Sequence, residues 1–469
     1  MLPDIKNYAI YPSVVREGQL TEMTIIPCER IHLFADGAEY LLKIIAVNSE
    51  ESAFYYIPTA QAEIPLTAKD GVLRFTYAFR GEQEYLLRLY QAEKLVSDLS
   101  VYALEEDLFS LRPLRGDLHS HSFRSDGACD PSAMAGHFRE QGYDFFALTD
   151  HNRFYPGGEI DEVFSGVNTD FCRVRGEELH TPISYVHIVH VGGKKSVCAE
   201  YLHNRRVYEQ EKEEILARVP SHVPEKFKEI YAMAMWATEH IHAVGGLAIF
   251  AHPYWTPVPS RCFNACDDLA RLLLKSGLFD AYEIIGCMSP SQTNRSLALY
   301  NEACAEGHDI PVVGSSDVHG LTRSHSFPHH FTVCFAEENE NDAIIAAIKK
   351  GFSVAVDAVG DEYERRYAVY GKLRLVSYAN FLLAHYFPER TRALAGEGVA
   401  MRAYAMGAAP ASLIEMTAKM ISEEADRFFG RKPPCLPTRE ILDFEEKWRS
   451  VSEKEGPSTR GSLSESING

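Results

Sequence analysis

The stretch Arg115–Gly127, RGDLHSHSFRSDG, gathers Asp117, His119, His121 and Asp126 into one short run. Imidazoles and carboxylates at that density suit one task above others, the holding of divalent ions. His119 and His121 follow LRPLRGDL. If that segment is extended, residues two apart point to the same side, and both imidazoles can grip one ion. Histidine makes up 19 of 469 residues, so chance alone supplies roughly one His-x-His pair in such a chain. His240-Ile-His242 serves as the internal control. It closes MAMWATEHIHAVGG, which reads as a helix end, where residues two apart do not share a face.

Partners for the first pair recur along the chain. His151 ends DFFALTDH, and Glu177 and Glu178 end FCRVRGEE. His187 and His190 lie in VHIVHVGG, His252 ends GGLAIFAHP, and Asp317 and His319 end IPVVGSSDVHG. Each apolar strand delivers a His, Asp or Glu at or near its C-terminal end. In a parallel α/β barrel those ends form the rim that carries the active site; in an open sheet they share one edge. A lone buried histidine is commonly a hydrogen-bonded core residue, and a strand-end Asp is commonly a helix cap. That bland account fails for all of these strand ends together.

The elements that must position these groups show in the rhythm of the chain. Residues 1–112 read as a β-rich, sandwich-like domain: TEMTIIP, AEYLLKIIAV, AFYYIP, VLRFTYAF and EYLLRLYQ are short β-branched and aromatic runs parted by turns such as AKDGV. From 113 to 365, short apolar strands alternate with helix-length segments, an α/β architecture. CDPSAMAGHFREQG predicts a helix with Asp130 as N-cap, Pro131 at its first position and Gly142 past its end. Residues 197–241 read as a long polar helical insertion. The segment 366–452 reads as helical, and 453–469 has the composition of a disordered tail.

Composition narrows the partners. Apolar residues make up 46% and charged residues 24%, and the formal net charge is −19. That sign repels phosphate backbones, so long nucleic acid is not an expected partner. The start reads as no signal peptide, no apolar run spans a bilayer, and the ten cysteines form no CxxC pair. These features lead to an expectation of a cytoplasmic protein with no membrane partner.

DLHSHSFRSDG, LTDHN, FAHP and GSSDVHG, in that order, resemble the motifs of the PHP (polymerase and histidinol phosphatase) family of metal-dependent phosphoesterases. The resemblance covers about 113–365. It implies a distorted seven-stranded (β/α) barrel with two or three divalent ions, Mn, Zn or Fe. It also implies that His119, His121 and Asp317 hold one ion, that Glu178 bridges to a second held by His187 and His252, and that Asp126, His151 and His319 hold a third. Glu178 is preferred to Glu177 because the family spacing is Gly-x-acid. His187 is preferred to His190 because the family histidine precedes an apolar pair.

Mixed imidazole and carboxylate ligands without thiolate fit such ions. Clustered ions hold phosphate oxygens and lower the pKa of water, so a hydroxide between two of them would attack in line in a trinuclear site. The expected reaction is phosphatase or phosphodiesterase hydrolysis of a small phosphorylated substrate such as a nucleotide. Arg124, Arg153 and Arg295 are candidates for phosphate contacts. His190 is a further candidate substrate contact, and His325 a candidate proton donor to the leaving group. Asp117 and Asp150, beside ligands, are candidates to orient imidazoles. Two other readings are a metal-dependent hydrolase of a non-phosphate ester or amide, and a metal-stabilised binding protein.

Overall fold

Alternating apolar residues with turns between them fold the first part of the chain into strands, as a computed structural model of the protein shows. The structure describes residues 6–50, 59–181, 184–256, 262–321, 324–358 and 367–455. It divides into two units: residues 2–109 with 425–469, and residues 110–424.

In the first unit the strands are β1 (Tyr8–Tyr11), β2 (Val14–Arg16), β3 (Leu20–Pro27), β4 (Glu39–Ala46), β5 (Ala62–Thr67), β6 (Leu73–Ala78), β7 (Gln83–Gln91) and β8 (Lys94–Leu104). They form a three-stranded sheet, β1-β3-β6, and a five-stranded sheet, β2-β8-β7-β4-β5. Met23, Ile25 and Phe75 of one sheet and Leu42, Ile44, Leu87 and Val101 of the other share a single core, as in a sandwich. The expected strand AFYYIP lies outside the described residues. Helix α1 (Glu106–Phe109) ends this stretch.

The second unit carries the candidate chemistry. Its strands are β9 (Arg112–Asp117), β10 (Phe145–Leu148), β11 (Cys172–Thr181), β12 (Ser184–Gly192), β13 (Gly246–Phe250), β14 (Ala281–Ile285), β15 (Val312–Gly314), β16 (His330–Ala336), β17 (Ser353–Asp357) and β18 (Ala368–Tyr370). They form one ten-stranded sheet in the order β15-β14-β13-β12-β11-β10-β9-β16-β17-β18. The expected seven-stranded count is therefore corrected. The strands β16, β17 and β18 add an antiparallel extension on the far edge of β9. The sheet is also mixed, because β12 runs antiparallel to both β11 and β13.

The sheet curls until its edge strand β15 meets β16 and β17. Hydroxyls take the place of a ladder there. Thr332 Oγ1 accepts the Gly314 N–H at 3.0 Å and donates to Gly314 O at 2.8 Å, and Ser353 Oγ donates to Val312 O at 2.8 Å. At the rim His121 N–H donates to Val318 O and Asp317 N–H to His119 O, both at 2.9 Å. The result is a nearly closed, barrel-like sheet. Leu114, Phe145, Val174, Val189, Ile249, Ala281 and Val313 fill its interior below the rim.

Helices cover the outside: α2 (Pro131–Glu140), α3 (Tyr155–Val163), α4 (Cys198–His203), α5 (Arg205–Arg218), α6 (Lys228–Ala243), α7 (Asp267–Leu274), α8 (Pro290–Ala305) and α9 (Asn341–Lys349). Asp130 caps α2 as expected, accepting from Ser132 N and Ala133 N at 2.9 and 3.1 Å. The insertion α4–α6 buries Tyr201, Tyr208 and Trp236 against the outer faces of β12 and β13. The helices α10 (Leu373–His385), α11 (Phe387–Ala405) and α12 (Ala411–Phe428) follow, and α13 (Arg439–Glu455) ends the described chain. The division between the two units falls near the end of α12. The expected disordered tail begins at 453, and 456–469 lie outside the described residues. Among the described residues no helix is long and apolar enough to cross a membrane.

Helix α11 is clamped to α2 by buried charge. A Cβ on Gly398 would meet the Glu140 nitrogen at 2.2 Å, so the two backbones approach more closely than any larger residue allows. Beside that crossing, Arg139 lies 2.9 Å from Glu397 and also pairs with Asp170, while Arg390 bonds Asp144 at 2.8 Å. Arg139, Asp144 and Glu397 are fully buried. Removing one partner of a buried pair leaves an uncompensated charge. Arg139→Met is therefore expected to cost about 3–5 kcal/mol, read as a lower urea midpoint, and a midpoint equal to the parent's would show that the network contributes nothing.

Candidate metal centre

The rim residues inherit their positions from strand ends and the turns after them. Past Asp117 the chain bends at Leu118, and Ser120 then pairs parallel with Val318, which sets His119 and His121 opposite Asp317. Asp117 is fully buried and accepts from His119 N and Ser316 N at 3.1 Å. It thus orients backbone on both sides of the seam, not an imidazole. Burial pushes its carboxyl up to about 7, against the hydrogen bonds from Ser316 and His119. Asp150 works similarly on the next loop, accepting from Ser122 N at 2.8 Å and Ser122 Oγ at 2.7 Å. That loop folds back tightly. A Cβ on Gly127 would meet His121 O at 2.2 Å, which is why the SDG run ends in glycine. Asp126 is thereby aimed at His151 and His319.

Pleating separates the doublets. Glu178 points into the barrel. Glu177 points outward, where it accepts from Ser196 Oγ at 2.6 Å and lies 3.1 Å from His190 Nδ1. His190 is stacked on Phe154, on the opposite face from the cluster. His187 reaches the rim for a reason that the sequence hides. It sits at the start of β12, which runs back against β11 and β13, so its beginning lies level with their ends.

The cluster centres on Glu178. Its Oε2 lies 3.3 Å from both His119 Nε2 and His121 Nε2 and 2.7 Å from His151 Nδ1. Its Oε1 lies 2.6 Å from His187 Nδ1 and 3.3 Å from His252 Nε2. Asp317 Oδ1 is 3.1 Å from His121 Nε2 and 3.4 Å from His119 Nε2. Toward solvent, Asp126 lies 3.4 Å from His151 Nε2 and 3.3 Å from His319 Nε2. The groups whose donor atoms all fall within 4.8 Å of one another include His119, His121, Glu178 and Asp317; Glu178, His187 and His252; and His121, Asp126, His151 and His319. Asp317 adopts φ +48°, a left-handed conformation that Asp tolerates and that commonly marks functional sites.

These residues fit divalent ions. Both Glu178 oxygens, Asp317 Oδ1, and ring nitrogens of His119, His121, His151, His187 and His252 are buried with no hydrogen-bond partner among the described residues. Buried polar atoms are normally paired, and an array of orphaned donors converging on shared points is what an ion would satisfy. The field agrees. Burial alone would raise Glu178, but His187 and His119 hold it well below the usual carboxylate range. Burial works against a proton on His151, yet Asp126 and Glu178 hold its pKa up at about 10. Burial pushes His187 down to about 4 despite Glu178.

The other candidates have partners of their own. Arg124 is tied to Glu159 at 2.8 and 2.9 Å, and Arg295, within α8, to Asp267 at 2.6 Å. Arg153 is exposed beside Tyr155. His325 Nε2 lies 3.9 Å from Cys287 Sγ. His240 and His242 are engaged elsewhere, by Trp236 O and Asp280.

Two residues of the cluster escaped sequence reasoning. Glu283 is fully buried, with Oε2 2.9 Å from His119 Nδ1, and so orients that imidazole toward Glu178 and Asp317. Its only signal was a lone acid inside AYEII. His180, just past Glu178, joins His151 and Glu178 in a further group. Losing a carboxylate behind a metal-binding histidine typically weakens affinity 10–100-fold. Glu283→Gln is expected to raise the Mn²⁺ dissociation constant by about that factor, measured by titration calorimetry, and an unchanged constant would remove Glu283 from the site.

No family model matches the sequence. Over 82 residues the chain is 37% identical to the DNA polymerase/3'-5' exonuclease PolX of Bacillus subtilis, a match covering 18% of this chain and 13% of that protein. The chain thus spans only a small part of the curated relative's length. Among solved structures, a two-domain protein from Bacteroides vulgatus containing a predicted PHP-like metal-dependent phosphoesterase aligns over 52% of this chain and 65% of that one, at 16% identity and a TM-score of 0.37. A candidate metal-dependent phosphoesterase from Bifidobacterium adolescentis aligns over 50% and 96%, at 17% identity and a TM-score of 0.34.

Proposed function

We propose that this chain is a metal-dependent phosphoesterase of the PHP type, acting on a small phosphorylated substrate such as a nucleotide. The observation that carries the reading is the buried convergence of orphaned imidazole and carboxylate atoms on Glu178, in the order of the four motifs. His119, His121, Asp317 and Glu178 would hold one ion, Glu178, His187 and His252 a second, and Asp126, His151 and His319 a third. When bound, such ions supply charge for phosphoryl and leaving oxygens and lower the pKa of a water to near neutrality.

The chain's own residues prepare the place. Glu178 faces two groups at once through its two oxygens. Glu283 fixes the ring of His119, and Asp117 fixes the backbone that carries His119 and Asp317. The buried groups lie deepest, while Asp126 is 56% exposed and His319 37%, so a substrate meets the third group first. Around Glu178 the side chains of His119, His121 and His252 are at most 2% accessible, and charge interactions strengthen in so enclosed a place.

One observation favours a second reading, hydrolysis of a non-phosphate ester or amide: Arg124 and Arg295, two of the expected phosphate contacts, are both paired with carboxylates. Metal analysis of the purified protein, then a panel of phosphomonoesters, phosphodiesters, carboxyl esters and amides with Mn²⁺ added, tests both. Chelator-sensitive release of phosphate supports the first reading. Turnover confined to esters or amides supports the second. Bound metal without turnover points to a binding protein.

A further inference from the structure

Strand β11 does not stop at Glu178. It continues to Thr181 through an irregularity in its register with β12 between Leu179 and Thr181, and His180 still lies on the Glu178 side, its Nε2 3.7 Å from Glu178 Oε2. Two residues of strand span about 7 Å, so His180 stands one layer nearer the mouth. Exposure follows: the Glu178 side chain is 1% accessible and that of His180 34%.

A histidine at a barrel mouth is ordinarily a solvated surface residue, with its ring nitrogens turned to water. His180 is turned the other way. Its Nε2 is buried, has no hydrogen-bond partner among the described residues, and lies 3.7 Å from Glu178 Oε2. The ring stacks on His187 with centroids 3.8 Å apart and lies 4.0 Å from the ring of His151. It therefore spans the second and third groups from above.

The position is built. His180 N–H donates to Asn152 Oδ1 at 3.0 Å, and Asn152 N–H donates to Glu178 O at 2.8 Å. Asn152 holds φ +53°, which turns the loop after His151 onto the end of β11, and His151 pairs with Glu178 across that junction. The loop that carries one candidate ligand thus fixes the backbone of His180.

We infer that His180 is a substrate-binding residue, its Nε2 contacting an oxygen of the substrate's phosphoryl group as that group rests over the ions. This rests on the phosphoesterase reading above and assigns the phosphate contact that Arg124 and Arg295, both paired, do not supply. His151, Glu178 and His180 also form a group that could hold an ion, so the metal content of a His180 variant separates the two roles.

The test uses the full chain loaded with Mn²⁺, p-nitrophenyl phosphate as substrate and inorganic phosphate as competitor. His180→Ala is expected to keep the parent's metal content, while KM for the ester and Ki for phosphate both rise about tenfold, the scale of one hydrogen bond to a charged group, with kcat less affected. His180→Gln, which retains an N–H donor, is expected to recover part of the loss. A fall in metal content in His180→Ala would make His180 an ion ligand and overturn the proposal. Unchanged KM and Ki in variants of an active parent would overturn it while leaving the phosphoesterase reading intact. A parent that neither turns over the ester nor binds phosphate would remove both.

Discussion

Glu178→Gln is expected to lower Mn²⁺-dependent phosphoester hydrolysis by on the order of a thousandfold, with metal lost from more than one position. The two Glu178 oxygens face different histidines: His119, His121 and His151 on one side, His187 and His252 on the other. An amide of the same shape keeps one acceptor and turns an N–H toward whatever cation stands on the other side. Charge stabilisation by such ions is worth several kcal/mol, and each 1.36 kcal/mol is a factor of about ten. Glu177→Gln provides the control. It is adjacent in sequence but faces outward onto His190 and Ser196, so it should keep its metal and lose only stability, about 1–3 kcal/mol for the partners left unsatisfied. Elemental analysis and initial rates on the two variants decide the matter. Parent-like metal content and rate in Glu178→Gln would remove the centre from the reaction.

The second large effect concerns protons. Metal uptake is expected to release them, and apparent affinity to climb as pH rises. In the ion-free protein burial opposes a proton on His151, but Asp126 and Glu178 hold its pKa at about 10, and His319 is raised through Asp126 despite burial. A protonated imidazole offers no lone pair, so an ion must displace its proton. His187, pushed by burial to about 4, is already neutral near pH 7, so the second position should release fewer protons than the third.

Stability follows with a definite sign. His151 sits above its unfolded value of about 6.5. Its contribution to the ion-free protein is therefore full below that pH and is lost as pH rises toward about 10. The ion-bound form gains over the same range, by about 2.7 kcal/mol when free ion exceeds the dissociation constant a hundredfold. The gap in melting temperature between Mn²⁺-loaded and chelator-treated protein should widen between pH 6 and 8. Calorimetry in two buffers of different ionisation heat reads the protons directly, and Asp126→Asn should reduce their number. A melting temperature indifferent to chelator at every pH would defeat this expectation.

The sequence showed the motifs because spacing is local. His119 and His121 share a face at period two, and Asp130, Pro131 and Gly142 bracket α2 as helix ends do. What it hid was set by pairing. Whether Glu177 or Glu178 faces inward depends on the phase of the pleat, and that phase comes from the register with β12 and β10. An apolar run such as VHIVHVGG looks the same in either direction, so the reversal of β12 was invisible, and with it the reason that His187 reaches the rim. Glu283 passed as strand interior because its partner His119 lies 164 residues away. The arginines read as phosphate contacts because nothing local reveals that Glu159 and Asp267 stand beside them.

The seam between the two ends of the curled sheet has a consequence for assembly. Glu178 and His187 belong to one hairpin and meet as soon as β11 and β12 pair. Asp317 and His119 meet only when segments as distant as Ser316 and Asp117, 199 residues apart, have come together, a long closure that is entropically slow to reach. An ion held by His119, His121 and Asp317 would act as a clasp on that junction: it can be gripped tightly only once the ring of strands is shut, and once gripped it opposes reopening. Loading order would then mirror folding order, the position of Glu178, His187 and His252 taking its ion once β13 has joined the hairpin and the clasp last.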